Sequence, residues 1–114
     1  MSESCYFVVL TSDKPDSLDL RARIRPIHRT YLRTQRDVCL YAAGPLRSDE
    51  DDAMNGSFFL CGAASRTQVE AFLAADPYNQ SGLTESAIIR RLDWTLGAPS
   101  QPDKDDTEAE STIR

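Results

Sequence analysis

Four short apolar runs alternate with two stretches of helical spacing along this chain, and their order restricts the possible folds. The runs are rich in aromatic and β-branched residues and are bounded by turn residues, which is typical of strands. The predicted strands cover residues 5–11, 38–46, 57–65 and 84–96. With helices after the first and third strands, the order β-α-β-β-α-β predicts a ferredoxin-like α+β fold with a four-stranded antiparallel sheet.

The first helical stretch contains the only histidine of the chain, His28, two residues after Pro26. Proline has no backbone N–H group and disfavours helix for the residue before it, so we expect Pro26 to kink this segment or to begin a second helix. Unpaired N–H groups at such a helix start would favour a neutral imidazole, which can act as a base. The apolar stripe that is predicted to face the core consists of Leu20, Ile24, Ile27 and Tyr31.

The middle of the chain predicts a hairpin followed by a second helix. The loop over residues 47–56 joins strands two and three and carries Asn55-Gly56, a common turn pair. The second helix covers residues 66–76, with Thr67 as its predicted N-cap, and stops at Asp76-Pro77. The residues predicted to face the core from this helix are Val69, Phe72 and Leu73.

The net charge of −5 is concentrated toward the C-terminus. From Gly97 onward the apolar pattern ends. This segment contains five acidic residues and only two basic ones, Lys104 and Arg114. A segment of this composition cannot bury enough surface to order itself, so we predict a domain over residues 1–96 and a disordered acidic tail over 97–114. The acidity of this tail argues against nucleic acid as the main partner.

The sequence shows no sign of a membrane, secretory or metal-binding protein. The longest apolar run, residues 5–10, is too short to cross a bilayer, and no signal peptide is visible, so we expect a cytoplasmic protein. The three cysteines are far apart in apolar stretches, and the acidic loop over residues 49–52 lacks the spacing of a calcium site. We therefore expect neither a metal nor a cofactor.

Six arginines between residues 21 and 36 have no acidic residue among them. Arg25, Arg29 and Arg33 would share one helical ridge. This ridge is interpreted as a solvated face or as a partner of the acidic tail, and nucleic-acid binding is the weaker alternative.

A sheet of four apolar strands covered by helices on one face leaves its other face open. An exposed apolar patch of that size is an interaction site or an aggregation hazard. A homodimer that packs sheet against sheet is the simplest way to cover it.

Four short motifs add a family resemblance to this reading: "RPIHRTYL", "AAGPL", "NGS" and "AADPYNQSG". In order and spacing they resemble the YCII-related family of small dimeric α+β-barrel proteins. The resemblance implies that His28 and Asp76 form an acid/base pair in a pocket. The residues of these motifs that we expect to contact a ligand are Arg25, Gly44, Pro45, Ser57 and Tyr78.

Each of these residues also has a purely structural interpretation. His28 could be a partly exposed helix residue, and Asp76 could accept backbone hydrogen bonds in the turn that precedes Pro77. Tyr78 could pack its ring on the sheet rather than donate to a ligand. Gly44-Pro45 could simply end the second strand.

Two functions of different classes follow. The first is a metal-free acid/base enzyme, an isomerase, dehydrochlorinase or other lyase, that acts on a small cyclic or aromatic metabolite through His28 and Asp76. The second is a noncatalytic dimer that binds a small metabolite or a protein partner. The isomerase and dehydrochlorinase activities named here are implied only by the family resemblance.

Overall fold

The computed structural model describes residues 5–99. Its elements follow the ferredoxin-like order that the sequence predicts, with a short third helix added before the last strand. They are β1 Cys5–Asp13, α1 Leu18–Thr34, β2 Cys39–Arg47, β3 Met54–Ala63, α2 Arg66–Ala75, α3 Pro77–Gln80 and β4 Thr84–Leu92. All strand pairs are antiparallel, and the order across the sheet is β2-β3-β1-β4.

The core lies between the sheet and the helices. Alternate residues of the central strands point to this side, and Val9 of β1 and Phe59 of β3 are paired there and buried. From α2, Val69 and Phe72 pack onto them with no exposed surface. The apolar face predicted for the second helix is therefore confirmed.

The opposite face of the sheet, which we call the outer face, is apolar and only partly covered. Phe58, Leu10 and Ile88 form one row across three strands, and Leu10 and Ile88 keep 40% and 56% of their surface exposed. Near the start of β1, the ring of Tyr6 contacts the rings of Tyr41 and Trp94. These contacts leave most of the row open to solvent.

Of the two alternatives predicted for Pro26, the start of a second helix is wrong, because α1 is continuous from Leu18 to Thr34 with Pro26 inside it. Pro26 and Ala22, the residue that loses its hydrogen-bond donor, both lie on the exposed side, where water can satisfy the carbonyl group. No new helix start therefore lies next to His28, and the argument from unpaired N–H groups does not apply.

The predicted core stripe of α1 is also wrong in part. The two residues that α1 buries are Arg21 and His28, whereas Ile27 is 57% exposed. The other members of the stripe, Leu20, Ile24 and Tyr31, are half-buried. A polar inner face on a helix requires hydrogen-bond partners, and these are found at the candidate site.

The β2–β3 hairpin is confirmed, but its turn lies elsewhere than predicted. The loop closes through backbone hydrogen bonds from Ser48 N–H to the Ala53 carbonyl and from Asp52 N–H to the Ser48 carbonyl, and Asp52 takes the positive φ of 65°. Asn55 and Gly56 lie within β3. A Cβ atom on Gly56 would collide with the carbonyl oxygen of Thr11, so this glycine serves the close approach of two strands rather than a turn.

Several element ends differ from the predictions. Helix α2 begins at Arg66 with Ser65, not Thr67, as its N-cap, and β4 ends at Leu92 rather than at Leu96, which is 88% exposed. Residues 100–114, most of the predicted tail, lie outside the described residues, so the tail and its boundary stay a prediction. Among the helices described for residues 5–99, none combines the length and apolar character that a bilayer span needs.

Candidate active site

A cavity of about 150 Å³ lies between α1 and the strands β2 and β3. Helix α1 contributes four residues with basic side chains, and β2 contributes small residues from its middle. The basic residues are Arg21, Arg25, His28 and Arg29, and the small ones are Ala43, Gly44 and Pro45. Leu32, Met54 and Phe59 supply apolar surface, so the cavity combines an apolar floor with a cationic wall.

His28 and Asp76 are joined by a hydrogen bond of 2.7 Å between Nδ1 and Oδ1. Both residues are buried, with exposures of 7% and 3%. Asp76 is the N-cap of α3, and the same Oδ1 accepts a hydrogen bond of 3.0 Å from the backbone N–H of Tyr78. One oxygen atom of Asp76 thus accepts both the backbone hydrogen bond of the turn and the hydrogen bond from His28.

The hydrogen bond to Asp76 fixes how His28 presents itself to the cavity. A carboxylate oxygen only accepts, so the shared proton belongs to Nδ1 of the imidazole. In the neutral ring this leaves Nε2 with a lone pair. His28 lines the cavity, whereas Asp76 lies behind it and lines a smaller space of about 60 Å³. His28 can therefore meet a ligand in the main cavity while Asp76 orients the ring from behind.

Tyr78 lies between two side chains of α1. Its ring stacks on the imidazole of His28 at 3.8 Å and 15°, and Cζ of Arg21 lies 4.5 Å from the same ring centroid. Because residues 21 and 28 are two helical turns apart, roughly 10 Å along the axis, the ring inserts between them. Burial raises the pKa of the Tyr78 hydroxyl, against the opposing effect of Arg21, so the phenol stays protonated and able to donate.

Arg21 is a functional candidate that the sequence analysis missed, because it was grouped with solvated arginines. It is 4% exposed, and its Nη2 donates to Ser57 Oγ and to the Gly56 carbonyl, both at 2.6 Å. Its Nε pairs with Asp13 Oδ2 at 3.2 Å. Burial raises the pKa of Asp13 while Arg21 lowers it. The seven-residue spacing to His28, which places both on one helix face, was the available signal.

Ser57 is held from two sides. Its Oγ accepts from Arg21, and its backbone N–H donates to Thr11 Oγ1 at 3.0 Å. Because the oxygen is engaged as an acceptor, the hydroxyl hydrogen is available to a ligand in the cavity that Ser57 lines.

The remaining predicted ligand contacts lie around the cavity mouth. Arg25 is exposed and lines the cavity, while Gly44 and Pro45 lie within β2, which continues to Arg47, so they do not end the strand. Gly44 pairs with Phe58 of the outer face, and a Cβ atom there would meet no other atom within 4 Å. Gly44 therefore contributes its backbone to the cavity. A larger residue at this position would not block the approach of a ligand, because its Cβ atom would meet open space.

The structure thus brings the seven predicted site residues to one place. Six of them line the cavity and the seventh, Asp76, lies behind His28. In residues 5–99 no three histidine, cysteine or acidic side chains come together as a metal site would require.

A model of the YCII-related domain matches residues 5–94. The chain belongs to the YCII-related family. Protein YciI of Escherichia coli O6:H1 is 31% identical over 90 residues, which cover 74% of this chain and 92% of that protein, and protein YciI of Shigella flexneri gives the same figures. The resemblance noted from the four motifs is confirmed.

One solved structure that is similar to this chain contains a bound ligand. It is 5-chloro-2-hydroxyhydroquinone dehydrochlorinase from Burkholderia phenoliruptrix AC1100 in complex with 2,5-dihydroxybenzoquinone. The two chains share 29% identity with a TM-score of 0.67, over 81% of this chain and 95% of that one. The ferredoxin-like fold is therefore confirmed, and the similar protein is an enzyme that holds a one-ring compound.

Proposed function

We propose that this protein is an acid/base enzyme that needs no metal or cofactor and catalyses an isomerisation or an elimination on a small cyclic or aromatic metabolite. The observation that carries the proposal is the buried hydrogen bond between His28 and Asp76, placed so that His28 borders the cavity. An imidazole held in one tautomer by a carboxylate, next to a space that can admit a ligand, is the arrangement that proton transfer requires.

The proposed roles follow from the contacts. His28 Nε2 takes a proton from the substrate, and Asp76 holds the ring and stabilises the imidazolium that forms. In an elimination, the electron pair of the broken bond to hydrogen forms the new double bond, and the leaving group departs as an anion with the electron pair of its own broken bond to carbon. Ser57 and Tyr78 donate hydrogen bonds to the oxygen on which negative charge develops.

The size and charge of the cavity support a one-ring, oxygen-rich substrate. The cavity of about 150 Å³ is small beside the roughly 300–1,000 Å³ of sites that take drug-sized ligands. Arg25 and Arg29 border it, and none of the residues within 5–99 that line it is acidic. The dihydroxybenzoquinone in the similar dehydrochlorinase has both properties, one ring and several oxygen atoms.

We also propose that the protein works as a cytoplasmic homodimer whose sheets pack through the outer face. The row of Phe58, Leu10 and Ile88 gives each copy an apolar surface for this contact. Light scattering at micromolar concentration should give the mass of two chains, and Ile88→Glu should give the mass of one. Glu85→Gln on the same strand is the control that should stay dimeric, and a monomeric wild-type protein would contradict the proposal.

The alternative is a noncatalytic dimer that uses the same cavity to bind a metabolite, or its surface to bind a protein. A panel of hydroxyquinones, chlorinated hydroxyquinols and lactones separates the two, with His28 followed by NMR and turnover by absorbance. Turnover that is lost in His28→Gln supports the enzyme. Binding of the panel without turnover supports the alternative.

A further inference from the structure

Arg21 is the one arginine of α1 whose side chain is buried, with 5% of its surface exposed. A buried guanidinium needs partners for its N–H groups, which lie on three nitrogen atoms, Nε, Nη1 and Nη2. Nε donates to Asp13 at 3.2 Å, and Nη2 donates to the Gly56 carbonyl and to Ser57 Oγ, both at 2.6 Å. Two of the three nitrogen atoms are thus engaged inside the domain.

The third nitrogen, Nη1, has no hydrogen-bond partner within residues 5–99. It is not sealed in the core either, because in the described part of the chain Trp94 Nε1 is the one fully enclosed side-chain nitrogen or oxygen that lacks a partner. Arg21 borders the main cavity but not the smaller space next to Asp76. The main cavity is therefore where Nη1 can meet a ligand.

The guanidinium group of Arg21 is fixed in place before any ligand arrives. Three hydrogen bonds hold its plane, and its Cζ lies 4.5 Å from the centroid of the Tyr78 ring. Asp13 balances its charge within the domain. A donor that is held in this way loses little conformational entropy when a ligand binds, which favours both affinity and selectivity.

A second hydrogen-bond donor lies beside Arg21. Ser57 borders the same cavity, and its hydroxyl group, which accepts from Nη2, still has a hydrogen to donate. Hydrogen bonds from a guanidinium group to a negatively charged oxygen are roughly twice as strong as those between neutral groups. Since none of the residues within 5–99 that line the cavity is acidic, no carboxylate competes with a ligand for these donors.

Arg21 and His28 contact different parts of a bound ligand. They lie seven residues apart on α1, about two turns or roughly 10 Å along the helix axis, and the Tyr78 ring lies between them. A one-ring compound can therefore place an anionic oxygen at Arg21 and present the other side of its ring to His28 Nε2.

We propose that Arg21 binds the substrate directly, with Nη1 donating a hydrogen bond to an anionic ring oxygen and the Ser57 hydroxyl donating a second one. The preferred ligand is then a hydroxyquinone or phenol in its ionised form. This inference deepens the proposed function and rests on it for the reaction, whereas the contact with the anion requires only that the cavity binds a ligand.

The test compares two quinones as probes by isothermal titration calorimetry. 2,5-Dihydroxybenzoquinone has ionisable oxygens, and 2,5-dimethoxybenzoquinone has none. The variants are made in an Asp13→Asn background, so that removal of Arg21 leaves no unpaired carboxylate behind. Arg21→Met in this background should weaken binding of the dihydroxy compound about tenfold or more, the usual loss for a hydrogen bond to a charged group. Binding of the dimethoxy compound should change by no more than about twofold.

Matched variants separate this contact from other causes. Arg23→Met in the same background replaces an exposed arginine of α1 and should keep the preference for the dihydroxy compound. An equal loss for both quinones in the Arg21 variant would mean that Arg21 only supports the shape of the cavity. A preference that survives in the Arg21 variant and disappears in Arg25→Gln/Arg29→Gln would assign the anion to the exposed arginines. Either result overturns the proposal.

A second measurement distinguishes this inference from the proposed function. NMR signals of the Arg21 guanidinium group, assigned by their loss in Arg21→Met, are followed during titration of the wild-type protein with formate at constant ionic strength and with 2,5-dihydroxybenzoquinone. We expect both probes to shift these signals. Signals that respond to neither probe overturn the proposal. Signals that respond while no quinone or lactone is turned over support the contact with the anion and count against the enzyme function.

Discussion

The helices α1 and α2 cover the same face of the same sheet with opposite chemistry. Helix α2 buries Val69 and Phe72, two apolar side chains without exposed surface. Helix α1 buries Arg21 and His28. One helix thus secures the fold by removing apolar area from water, and the other encloses polar groups that a cavity can use. The comparison shows where in this fold stability and chemistry are separated.

A polar inner face is tolerated on α1 because its buried groups are partnered. Arg21 has a carboxylate, a hydroxyl and a carbonyl within reach, and His28 has Asp76. Burying a charge without such partners would cost several kcal/mol. The partners come from β1, β3 and the residue before α3, so the site depends on the whole domain.

His28→Gln, which removes the proposed base from α1, should have the strongest effect on activity. Turnover should fall by about 100-fold to 10,000-fold, the usual contribution of a positioned acid/base group. The free energy of unfolding should fall by about 1–3 kcal/mol, because the buried Asp76 loses a hydrogen-bond donor. Steady-state kinetics and urea unfolding measure the two effects.

Ile27→Gln is the matched control, since Ile27 is the neighbouring residue on the exposed side of α1. Ile27→Gln should change turnover by no more than a factor of about two and the free energy of unfolding by no more than about 0.5 kcal/mol. If His28→Gln kept more than a third of the turnover, α1 would not supply the base.

Phe72→Ala tests the other helix. Removing this buried ring, which contacts Phe59 edge to face at 5.2 Å, should lower the free energy of unfolding by about 3–5 kcal/mol. Turnover per folded molecule should stay close to that of the wild type, because Phe72 does not border the cavity. Chemical denaturation followed by circular dichroism gives the first value. A loss of turnover in the folded fraction would show that the two helices are not separable.

Arg21→Met replaces a buried charged side chain of α1 by an apolar one, so that the inner face of α1 becomes more like the apolar inner face of α2. It should cost about 3 kcal/mol near neutral pH, because Asp13 is left as a buried carboxylate without a partner. Burial already raises the pKa of Asp13 above its ordinary 3.8, and loss of Arg21, which lowers it, raises it further.

The pH dependence of that cost has a definite sign. A carboxyl with a raised pKa in the folded state destabilises the fold when ionised, so the deficit of Arg21→Met should shrink as pH falls through this raised pKa toward 3.8. Urea unfolding at several pH values checks this, with the exposed Arg23→Met as the control. A deficit that is constant with pH would mean that lost packing, not the unpaired Asp13, is the cause.

The smallest effect is expected for Ser65→Ala at the start of α2. Ser65 is the N-cap, but its side chain makes no capping hydrogen bond, so the loss should stay below about 0.5 kcal/mol. Asp76→Ala, at the N-cap of α3, should cost more because that side chain accepts hydrogen bonds from Tyr78 N–H and from His28 Nδ1. Equal costs for the two caps in thermal unfolding would contradict this difference.

The same contrast explains how much of the fold the sequence predicted. The element order and the inner face of α2 followed from apolar periodicity, which reports burial wherever burial is apolar. On α1 the rule misassigned Ile27, because the buried positions are held by Arg21 and His28, whose burial depends on partners distant in sequence. Propensity rules also placed a turn at Asn55-Gly56, where close packing against Thr11 is what requires the glycine.

For the site, the short motifs were more informative than periodicity. They indicated His28 and Asp76, which lie 48 positions apart and meet only because α1 and the start of α3 pack together. Arg21 lies outside those motifs, and its seven-residue spacing to His28 is the one signal that separates it from the exposed arginines of the same helix. Its network with Asp13 and Ser57 joins three elements, and local sequence patterns carry no information on such contacts.

Pro45 has a consequence for self-association as well as for the cavity. It lies in β2, an edge strand of the sheet, where a free row of backbone donors and acceptors can recruit strands from other molecules. Proline is tolerated in a sheet where its nitrogen faces away from the neighbouring strand, so the open edge lacks one donor at this point. The strand that forms one wall of the cavity is thereby a poor template for amyloid-like growth, and replacing Pro45 would remove that protection together with the shape of the wall.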